Sequence, residues 1–376
     1  MEAYHAQMRE MYRYFRSQPE CMQELLRDRA AIVGGFADFY SRLKPDRVYL
    51  IGSGSSLNAC RAAKDYMEAM LDVEVMAAEP SNPPIIRGAR PLLAVVSQSG
   101  KSSNTDAYLR AKHGQGVPSA SFTAGIDTPI AHAADLAVDI SVGDETVGPK
   151  TRGFTGTALC LYLAALEAGR ASGSLSAAGY EREIGLLEKT IGCSEENLNT
   201  CEAFYRTHLE ALKTARRYLF VGKGPAAAVG AEDALKVLET LCFPSAGYEF
   251  EEYLHGPAFS TNEETALFLF NPDDADTPRV RRMAAITARA SRNSYIIDRT
   301  GNLAGEDVLR LRAASSKYMS PFVDVFFGQL LSALLTQEMS ITRHEAVHSL
   351  TADMEIKVSK EPDEQANGGL PVGRKD

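Results

Sequence analysis

Two segments of this chain share one pattern, an apolar run that ends in glycine-x-glycine and continues as a helix-favouring stretch. The first is VYLIGSG at residues 48–54, and the second is YLFVGKG at residues 218–224. Such a run before a glycine turn and a helix is typical of a buried strand in a parallel α/β sheet. Further strand-like runs follow the two copies, at residues 92–96, 119–122, 137–140, 266–270 and 295–297. The pattern therefore predicts an internal duplication of an α/β unit.

The segments outside the two copies show other patterns. The first 44 residues favour helix, and residues 177–217 carry apolar side chains at helical spacing, which predicts connecting helices. From about Thr342 the periodicity is lost and Gly and Pro become frequent, which indicates a tail that lies over another part of the molecule or a partner, or is disordered. We predict a helical segment at 1–44, domains at 45–195 and 196–345, and a C-terminal tail at 346–376.

Composition limits the class of protein. With 376 residues, 45% of them hydrophobic, the chain can bury a large core and is expected to form two domains. A net charge of -9 argues against nucleic acid or an anionic membrane as a general partner. The six cysteines form no C-x-x-C pair, which predicts neither disulfides nor a thiolate metal site and favours a reducing cytoplasm. No signal segment is evident at the N-terminus, and we expect no apolar run near the ~18 residues that span a bilayer.

A Ser-Gln-Ser-Gly turn at residues 97–100 directly follows the apolar run 92–96. A buried strand that ends in small hydroxyl residues and continues as a helix gathers N–H groups and hydroxyls at the positive end of the helix, which suits a phosphate. The serines at residues 53–56 follow the first strand in the same way, and ligands bind at the carboxyl ends of strands in open α/β sheets. For either motif alone, an ordinary serine-rich helix cap is the alternative.

Two other motifs point to cofactors and are weaker. Residues 222–227 match the dinucleotide pattern G-x-G-x-x-A, but Pro225 removes a backbone donor, and Leu57 occupies the small position in the first copy. Residues 344–348 read HEAVH and match the zinc-protease pattern, yet they lie where the helical pattern ends, and no third ligand is evident nearby. We therefore expect neither a cofactor nor a metal.

Three charged residues recur on one face of a predicted helix. Glu232, Lys236 and Glu239 have the spacing i, i+4, i+7, while the leucines of the same helix lie on another face. The ordinary interpretation is a solvated stripe of ion pairs, each worth a few tenths of a kcal/mol. A functional interpretation is the alternative, because His255 follows among the glutamates of EFEEYLHGP at 249–257 and is a candidate proton carrier.

Taken in order, these motifs resemble the tandem SIS (sugar isomerase) family, most closely the isomerase half of glucosamine-6-phosphate synthase and the deglycases of sugar-amine 6-phosphates. The resemblance runs over nearly the whole chain. It also includes SQPE at residues 17–20, ETVGPKTRGFT at 145–155, the E-x-A-L-K-x-x-E helix at 232–239 and E-x-x-H-G-P at 252–257. It implies an α/β fold with two tandem flavodoxin-like SIS domains, each a parallel sheet flanked by helices, plus an irregular C-terminal tail.

The resemblance also implies roles for individual residues. Glu239 matches the base that moves a proton between carbons 1 and 2, with Lys236 nearby. His255 matches the ring-opening acid/base that crosses from the neighbouring subunit, and Lys357 is the best match to the tail lysine. Lys150 stands where the synthase has a serine and resembles the deglycases. The phosphate and sugar are expected on Ser53, Ser55, Ser56, Ser97, Gln98, Ser99, Ser102, Gly148 and Lys150.

The function that this resemblance implies is that of a cytoplasmic, homodimeric phosphosugar enzyme acting on a sugar-amine 6-phosphate, as a deglycase or a ketose/aldose isomerase. One carboxylate can serve both reactions, since both pass through an enediol or enaminol. An amino-sugar isomerase or deaminase, a noncatalytic sugar-phosphate sensor and a zinc hydrolase remain alternatives. A sensor could lose the carboxylate and the histidine, and both are retained. The glutaminase domain of the synthase is missing from the sequence, so release of ammonia from glutamine is not expected.

Overall fold

The computed structural model describes residues 2–272, 274–343, 347 and 354–358. Three helices come first, followed by a five-stranded parallel sheet with the strand order β2-β1-β3-β4-β5. The elements of this part are α1 (Glu2–Arg16), α2 (Gln18–Arg27), α3 (Arg29–Leu43), β1 (Arg47–Gly52), α4 (Ser55–Leu71), β2 (Glu74–Ala78), β3 (Pro91–Val96), α5 (Ser103–His113), β4 (Ser119–Thr123), α6 (Pro129–Ala133) and β5 (Leu136–Asp139). Helices α7 (Arg152–Ser172), α8 (Ala177–Gly192) and α9 (Ser194–Leu212) lead to the second part.

The second sheet repeats the first. Its elements are β6 (Arg217–Gly222), α10 (Pro225–Thr240), β7 (Ser245–Glu249), α11 (Phe250–Leu254), β8 (Thr265–Phe270), α12 (Thr277–Thr287), β9 (Asn293–Asp298), β10 (Val308–Arg310) and α13 (Val325–Glu338), with 3₁₀ turns at Pro257–Ser260 and Lys317–Phe322. The strand order β7-β6-β8-β9-β10 is the order of the first sheet, and all its pairs are parallel. This confirms the predicted α/β duplication and its flavodoxin-like order.

The strand-like runs that the sequence pattern predicts all coincide with observed strands, and the strands that it missed are edge strands. Strands β2, β7 and β10 carry few fully buried side chains, and each lies at the edge of its sheet. An edge strand is covered on fewer sides than a central one, so its sequence has a weaker apolar signal.

Helix α13 is the central helix of the second half. The stretch Lys317–Glu338 is long and apolar enough, by length and composition, to cross a membrane, which corrects the expectation that no run approaches that length. However, 94% of its most apolar window is buried inside the protein. Helices α1, α9 and α10 pack against α13, and a helix that is covered on all sides needs apolar residues around its whole circumference.

The two halves meet where α4 of the first packs against α10 of the second. The N-terminal helix α1 also crosses to the second half, since it packs on α13. The contact of α10 with α13 is close: a Cβ added to Gly328 would lie 2.2 Å from Cγ of Asp233. Helix α10 is thus held between the halves, and this position decides what its charged face touches.

Candidate active site

A cavity of about 210 Å³ lies at the carboxyl ends of β1 and β3. The neighbours of these two strands, β2 and β4, lie on opposite sides, so the chain leaves β1 and β3 in opposite directions, which opens a crevice in sheets of this order. The residues that line the cavity are Ser53, Ser55, Ser56, Ser97, Gln98, Ser99, Ser102, Gly148, Lys150, Gly153, Thr157, Glu239 and Lys357. The structure therefore brings together every site residue that the sequence predicts except Lys236, which lies directly behind Glu239, and His255.

Helix N-termini surround one end of this cavity. Helix α4 begins at Ser55 and α5 follows Ser102, and neither helix has a side-chain hydrogen bond from its cap residue. At α5 the N–H groups of Ser103 and Thr105 have other acceptors, the carbonyl of Ile356 and the side chain of Asn104, whereas the first-turn N–H groups of α4 have no acceptor among the described residues. The hydroxyls beside them are close together, with Ser97 Oγ 3.1 Å from Ser102 Oγ. The N–H groups at the start of α4, the hydroxyls and the positive helix ends together suit a phosphate.

Two glycines allow the backbone around these hydroxyls to take its shape. Gly100 has φ +61°, and a Cβ there would lie 2.3 Å from the hydroxyl of Thr128. A Cβ on Gly153 would lie 2.4 Å from the side-chain nitrogen of Gln98. The Ser-Gln-Ser-Gly turn thus packs too closely against α6 and α7 for larger residues at these two positions.

The other end of the cavity carries Glu239, supplied by α10 from the second half. Its Oε2 accepts a hydrogen bond of 2.6 Å from Nζ of Lys236, and its side chain is 33% exposed. Lys236 is fully buried and also donates to Ser55 Oγ of the first half at 3.0 Å. Glu232, fully buried one turn earlier, lies 3.3 Å from the same ammonium and accepts from Asn58 at 2.9 Å. The Glu-Lys-Glu group therefore links the two halves directly behind the cavity.

Burial and charge act on this group in opposite directions. Burial by itself lowers the pKa of Lys236, but the carboxylates of Glu232 and Glu239 outweigh it and the net pKa is raised. Burial raises the pKa of Glu232 against the opposing effect of Lys236. Lys236 thus stays charged, as a fixed hydrogen-bond donor to Glu239.

The ordinary interpretation of this helix face, a solvated stripe of ion pairs, is wrong. Glu232 and Lys236 have no exposed side-chain surface, whereas Leu238 on the other face is 46% exposed. The charged face is the one that packs between the halves, because Ser55 and Asn58 of α4 supply polar partners there. A buried charge is tolerated only with such partners.

Sequence reasoning missed the residues that hold the end of α10. The hydroxyl of Tyr4 donates to the carbonyl of Thr240 at 2.5 Å, and Nε of Arg343 donates to the carbonyl of Glu239 at 3.1 Å. The Arg343 guanidinium also lies 4.9 Å from the centroid of the Tyr4 ring. Tyr4 and Arg343 are far apart in the sequence, so no local pattern could reveal them.

Lys357 reaches the cavity from the C-terminal segment 354–358. This segment pairs with the serine turn: Ser103 N–H donates to the carbonyl of Ile356 at 3.0 Å, and Val358 N–H donates to that of Lys101 at 2.8 Å. The antiparallel bridge between Ser102 and Lys357 lies between these two bonds. The described part of the tail, residues 354–358, therefore lies beside the Ser-Gln-Ser-Gly turn at residues 97–100 and the residues that follow it.

Lys150 lies on the loop before α7. Its Nζ donates to the backbone carbonyls of Glu145 at 2.5 Å and Val147 at 2.8 Å. Burial lowers the pKa of Lys150; the charge of Glu145 opposes this effect, and the ammonium groups of Lys357 and Lys236 add to it. No carboxylate within the described residues forms an ion pair with Lys150, so its charge is available to a ligand.

His255 lies apart from this cavity in the single chain. It follows the short helix α11, is exposed, and uses its backbone N–H to donate to the carbonyl of Glu252 at 3.2 Å. It is not among the residues that line the cavity. The predicted role of His255 therefore requires a second copy of the chain.

The other motifs have different surroundings. In the second half, the turn after β6 holds Lys223 in ion pairs with Asp274 and Asp276, at 2.9 and 2.5 Å, so carboxylates lie where the first half has serines. No cluster of three metal-ligating side chains occurs among the residues that the structure describes. The HEAVH motif lies outside them, apart from Val347.

Known proteins match both the sequence and the fold. The model of the SIS domain matches residues 43–167. The chain is 27% identical over 332 residues to glutamine–fructose-6-phosphate aminotransferase (isomerizing) of Caulobacter vibrioides, covering 83% of this chain and 54% of that protein. The C-terminal domain of glucosamine-fructose-6-phosphate aminotransferase from Francisella tularensis has a TM-score of 0.77 at 20% identity, covering 87% of this chain and 96% of that one. Tagatose-6-phosphate ketose/aldose isomerase from Escherichia coli has a TM-score of 0.68 at 16% identity, covering 89% and 94%.

The match to the SIS domain covers residues 43–167, the part of the chain that holds the first parallel sheet and the strand ends β1 and β3 at the cavity. The chain is homologous to part of the glutamine–fructose-6-phosphate aminotransferases and shares the fold of the C-terminal domain of one of them, which confirms the resemblance inferred from the motifs. The chain spans about half the length of the curated relatives that it matches.

Proposed function

We propose that this chain is an enzyme that moves a proton between carbons 1 and 2 of an open-chain sugar 6-phosphate, and that its substrate is a fructosamine-type 6-phosphate. One observation carries the proposal: Glu239, a partly exposed carboxylate, shares a cavity with the hydroxyls and helix N-termini that suit a phosphate. The phosphate fixes the sugar at one end of the cavity and so holds its reactive carbons against the base at the other.

The proposed reaction is a reverse Amadori rearrangement followed by hydrolysis. Glu239 takes a proton from carbon 1 of the 1-amino-2-ketose while the oxygen of carbon 2 gains a proton from water, which forms an enaminol. Glu239 then returns its proton to carbon 2 while the nitrogen loses its proton to water, which forms an imine. Water adds to the imine carbon, and the amine leaves with a proton, so an aldose 6-phosphate remains. A ketose/aldose isomerase would use the same carboxylate without the hydrolytic step. An amino-sugar isomerase or deaminase would act on a sugar whose nitrogen is on carbon 2 and not on carbon 1.

The surroundings of Glu239 support its role as a proton carrier. Lys236 binds Oε2, while Oε1 has no hydrogen bond within the described part of the chain. One carboxylate oxygen is thus held in place and the other is available for a substrate proton. A noncatalytic sensor would need only the phosphate end of the cavity. It would not require the fully buried Lys236, whose ammonium holds the carboxylate of Glu239.

We propose further that two copies share their active sites. His255 is exposed beside apolar side chains that are also exposed, Leu254 at 40% and Phe259 at 93%. An apolar groove of about 350 Å³ between α11 and α12 adjoins them. Contiguous exposed apolar surface of this kind indicates a protein interface. A second copy bound here would cover it and could carry His255 into the partner's cavity, as the resemblance to the synthase implies.

Cytoplasmic location is part of the same proposal. All six cysteines are free thiols, four of them buried. Free thiols of this number are typical of proteins in a reducing compartment, where sugar phosphates are also retained.

The test is a comparison of wild-type and Glu239→Gln proteins on fructosamine 6-phosphates, with glucose 6-phosphate and released amine as products. Glutamine keeps the shape but cannot act as the base, so we expect kcat to fall by about 10²- to 10⁴-fold while phosphosugar binding is retained. Incorporation of solvent deuterium at carbon 2 should be lost as well. Glu188→Gln, on the exposed side of α8, is the matched control. Turnover of the Glu239→Gln protein within a few-fold of wild type would refute the role of Glu239.

A further inference from the structure

A second cavity, of about 530 Å³, adjoins the candidate active site. The two cavities share a wall that consists of Gln98, Ser99, Gly148, Lys150 and Lys357. The second cavity extends from this wall to Lys101 of the serine turn and to Asp144 of the loop before α7. It is larger than the sugar cavity itself, and an open-chain hexose phosphate would leave it unfilled.

Three lysines give this second cavity its chemical character. Lys101, Lys150 and Lys357 all line it, and none of them forms an ion pair with a carboxylate among the residues that the structure describes. Lys150 is held by backbone carbonyls only. The lowered pKa of Lys150 has burial as its main cause, and the charge of Lys357 contributes to it. These ammonium groups surround one cavity and have no ion-pair partners there among the described residues. A bound anion would therefore reduce the repulsion between their charges.

The acidic residues of this cavity form no ion pair with its lysines among the described residues, although the charge of Glu145 opposes the lowering of the pKa of Lys150. The carboxylate of Glu145 is used inside the loop, where it accepts from Thr151 N–H and Oγ at 2.8 Å and from Gly153 N–H at 2.9 Å. Asp127 is 87% exposed and lies 3.4 Å from a ring nitrogen of His132. Asp144 is exposed and is not within ion-pair distance of any lysine of this cavity in the described residues.

We propose that this second cavity holds the amine-side substituent of the substrate and that this substituent carries a carboxylate, as an amino acid does. The inference rests on the proposed function, because it assigns a position to a group attached to carbon 1. In the proposed pose carbon 1 lies at the Glu239 end of the sugar cavity. Lys150 and Lys357 line both cavities, so a substituent on carbon 1 that enters the second cavity crosses the shared wall beside these two lysines. Lys101 then meets its carboxylate on the far side and determines which amines are accepted.

The test measures binding and does not depend on turnover. In the Glu239→Gln protein, calorimetry compares the 6-phosphates of fructosyl-glycine and fructosyl-glycinamide, which differ only in the carboxylate, together with fructose 6-phosphate. We expect the carboxylate ligand to bind about 10-fold more tightly than the amide, a difference of about 1.4 kcal/mol. The added Lys101→Met substitution should reduce this preference by about 3- to 10-fold, since it removes one partly exposed charge pair with the carboxylate. Raising the salt concentration should reduce the preference in the same direction.

The control is Lys189→Met, which removes the same charge from the exposed side of α8, remote from both cavities. It should leave the preference unchanged, and Lys101→Met should leave the affinity for fructose 6-phosphate within about twofold, because Lys101 does not line the sugar cavity. Equal affinity for the two glycine ligands, or an unchanged preference in Lys101→Met, would overturn this inference while leaving the proposed function intact. Binding of fructose 6-phosphate alone would also overturn it and would favour the isomerase reaction. Failure to bind any of the three ligands would refute the proposed function itself.

Discussion

At the scale of single residues, the proposed function assigns binding and chemistry to opposite ends of the cavity. The hydroxyls of Ser97, Ser99 and Ser102 line the end of the cavity where we propose that the phosphate binds, and Glu239 lines the other end. The serines are neutral donors, so their contribution to binding is modest and is the same before and during the reaction. The carboxylate is needed only while a proton moves. Substitutions at the two ends should therefore change different kinetic constants.

Replacing Ser97 or Ser99 by Ala tests the phosphate end. Either substitution should raise KM for a 6-phosphosugar more than it lowers kcat, because the lost hydrogen bond stabilises the bound substrate and the transition state alike. Steady-state kinetics on a verified substrate separate the two constants, and calorimetry gives the affinity. Unchanged phosphosugar affinity in the double variant would contradict the placement of the phosphate on this turn.

At the scale of elements, α10 is the helix on which the site depends. It carries Glu239, its charged face is buried against α4, and its last carbonyls bind Tyr4 and Arg343. A helix C-terminus leaves carbonyls without intrahelical partners, and side chains from elsewhere can satisfy them. Tyr4 of the N-terminal helix α1 thus contacts the C-terminal end of α10, the helix that carries Glu239.

Tyr4→Phe tests this contact between elements. Removal of a buried hydroxyl that binds the Thr240 carbonyl should lower the free energy of unfolding by about 1 kcal/mol. Tyr205→Phe is the matched control, since the Tyr205 hydroxyl is buried with no hydrogen-bond partner among the described residues, and its loss should cost nothing or slightly stabilise the protein. Urea denaturation of both variants gives the comparison. Equal effects of the two substitutions would argue against a specific role for the Tyr4 bond.

Asp233, which lies where α10 packs against α13, is expected to make the free energy of unfolding depend on pH. Both carboxylate oxygens of Asp233 are buried without partners among the described residues, and burial, with Glu232 and Asp324 nearby, raises its pKa well above the usual value while Lys236 opposes this shift. The folded state therefore binds a proton that the unfolded state releases above about pH 4. The stability that this proton contributes is complete below the unfolded pKa and is lost as the pH rises towards the folded pKa.

Asp233→Asn should remove this part of the pH dependence. Relative to the variant, the wild-type free energy of unfolding should fall by up to about 1.4 kcal/mol per pH unit from about pH 4 upward, until the folded pKa is reached. Urea denaturation at several pH values between about 5 and 7 measures the difference, with Asp38→Asn on the exposed side of α3 as the control for loss of a surface carboxylate. Parallel pH profiles for wild type and Asp233→Asn would show that Asp233 is not protonated in the folded protein.

At the scale of the whole molecule, the site belongs to neither half alone. The first half supplies the serine hydroxyls, the second supplies Glu239, and Lys236 donates to Ser55 across the boundary. Under the proposed dimer, a second copy adds His255. If two chains contribute to each active site, Glu239 of one chain and His255 of another should be able to form an intact site in a mixed dimer.

Complementation tests this assembly. Glu239→Gln and His255→Ala proteins should each be inactive, and a mixture should regain activity after subunit exchange, because a mixed dimer retains one intact site. At equal amounts, about a quarter of the wild-type activity is expected, since half of the dimers are mixed and each has one of two sites. Each variant taken alone through the same exchange procedure is the control. If mixed dimers form and no activity returns, the active sites are not shared.

The sequence by itself determined the central strands, the duplication and the resemblance to SIS proteins. Apolar runs that end in glycine turns report burial and turn chemistry within a few residues, so residues 48–54 and 218–224 predicted the two sheets, and the serine turns predicted the edge at which the cavity lies. The roles of Glu239, His255 and the serines stay predictions until substrates are tested.

Only the tertiary structure decided which side of α10 is buried and what surrounds it. Helical spacing groups Glu232, Lys236 and Glu239 on one face, but it cannot show that α4 covers this face and leaves Leu238 exposed. Tyr4 meets Thr240 across 236 positions in the chain. The lysines of the second cavity likewise come from two separate loops and the tail segment. Local periodicity reflects the average environment of a segment, whereas these contacts depend on how distant elements pack, and that is a property of the whole fold.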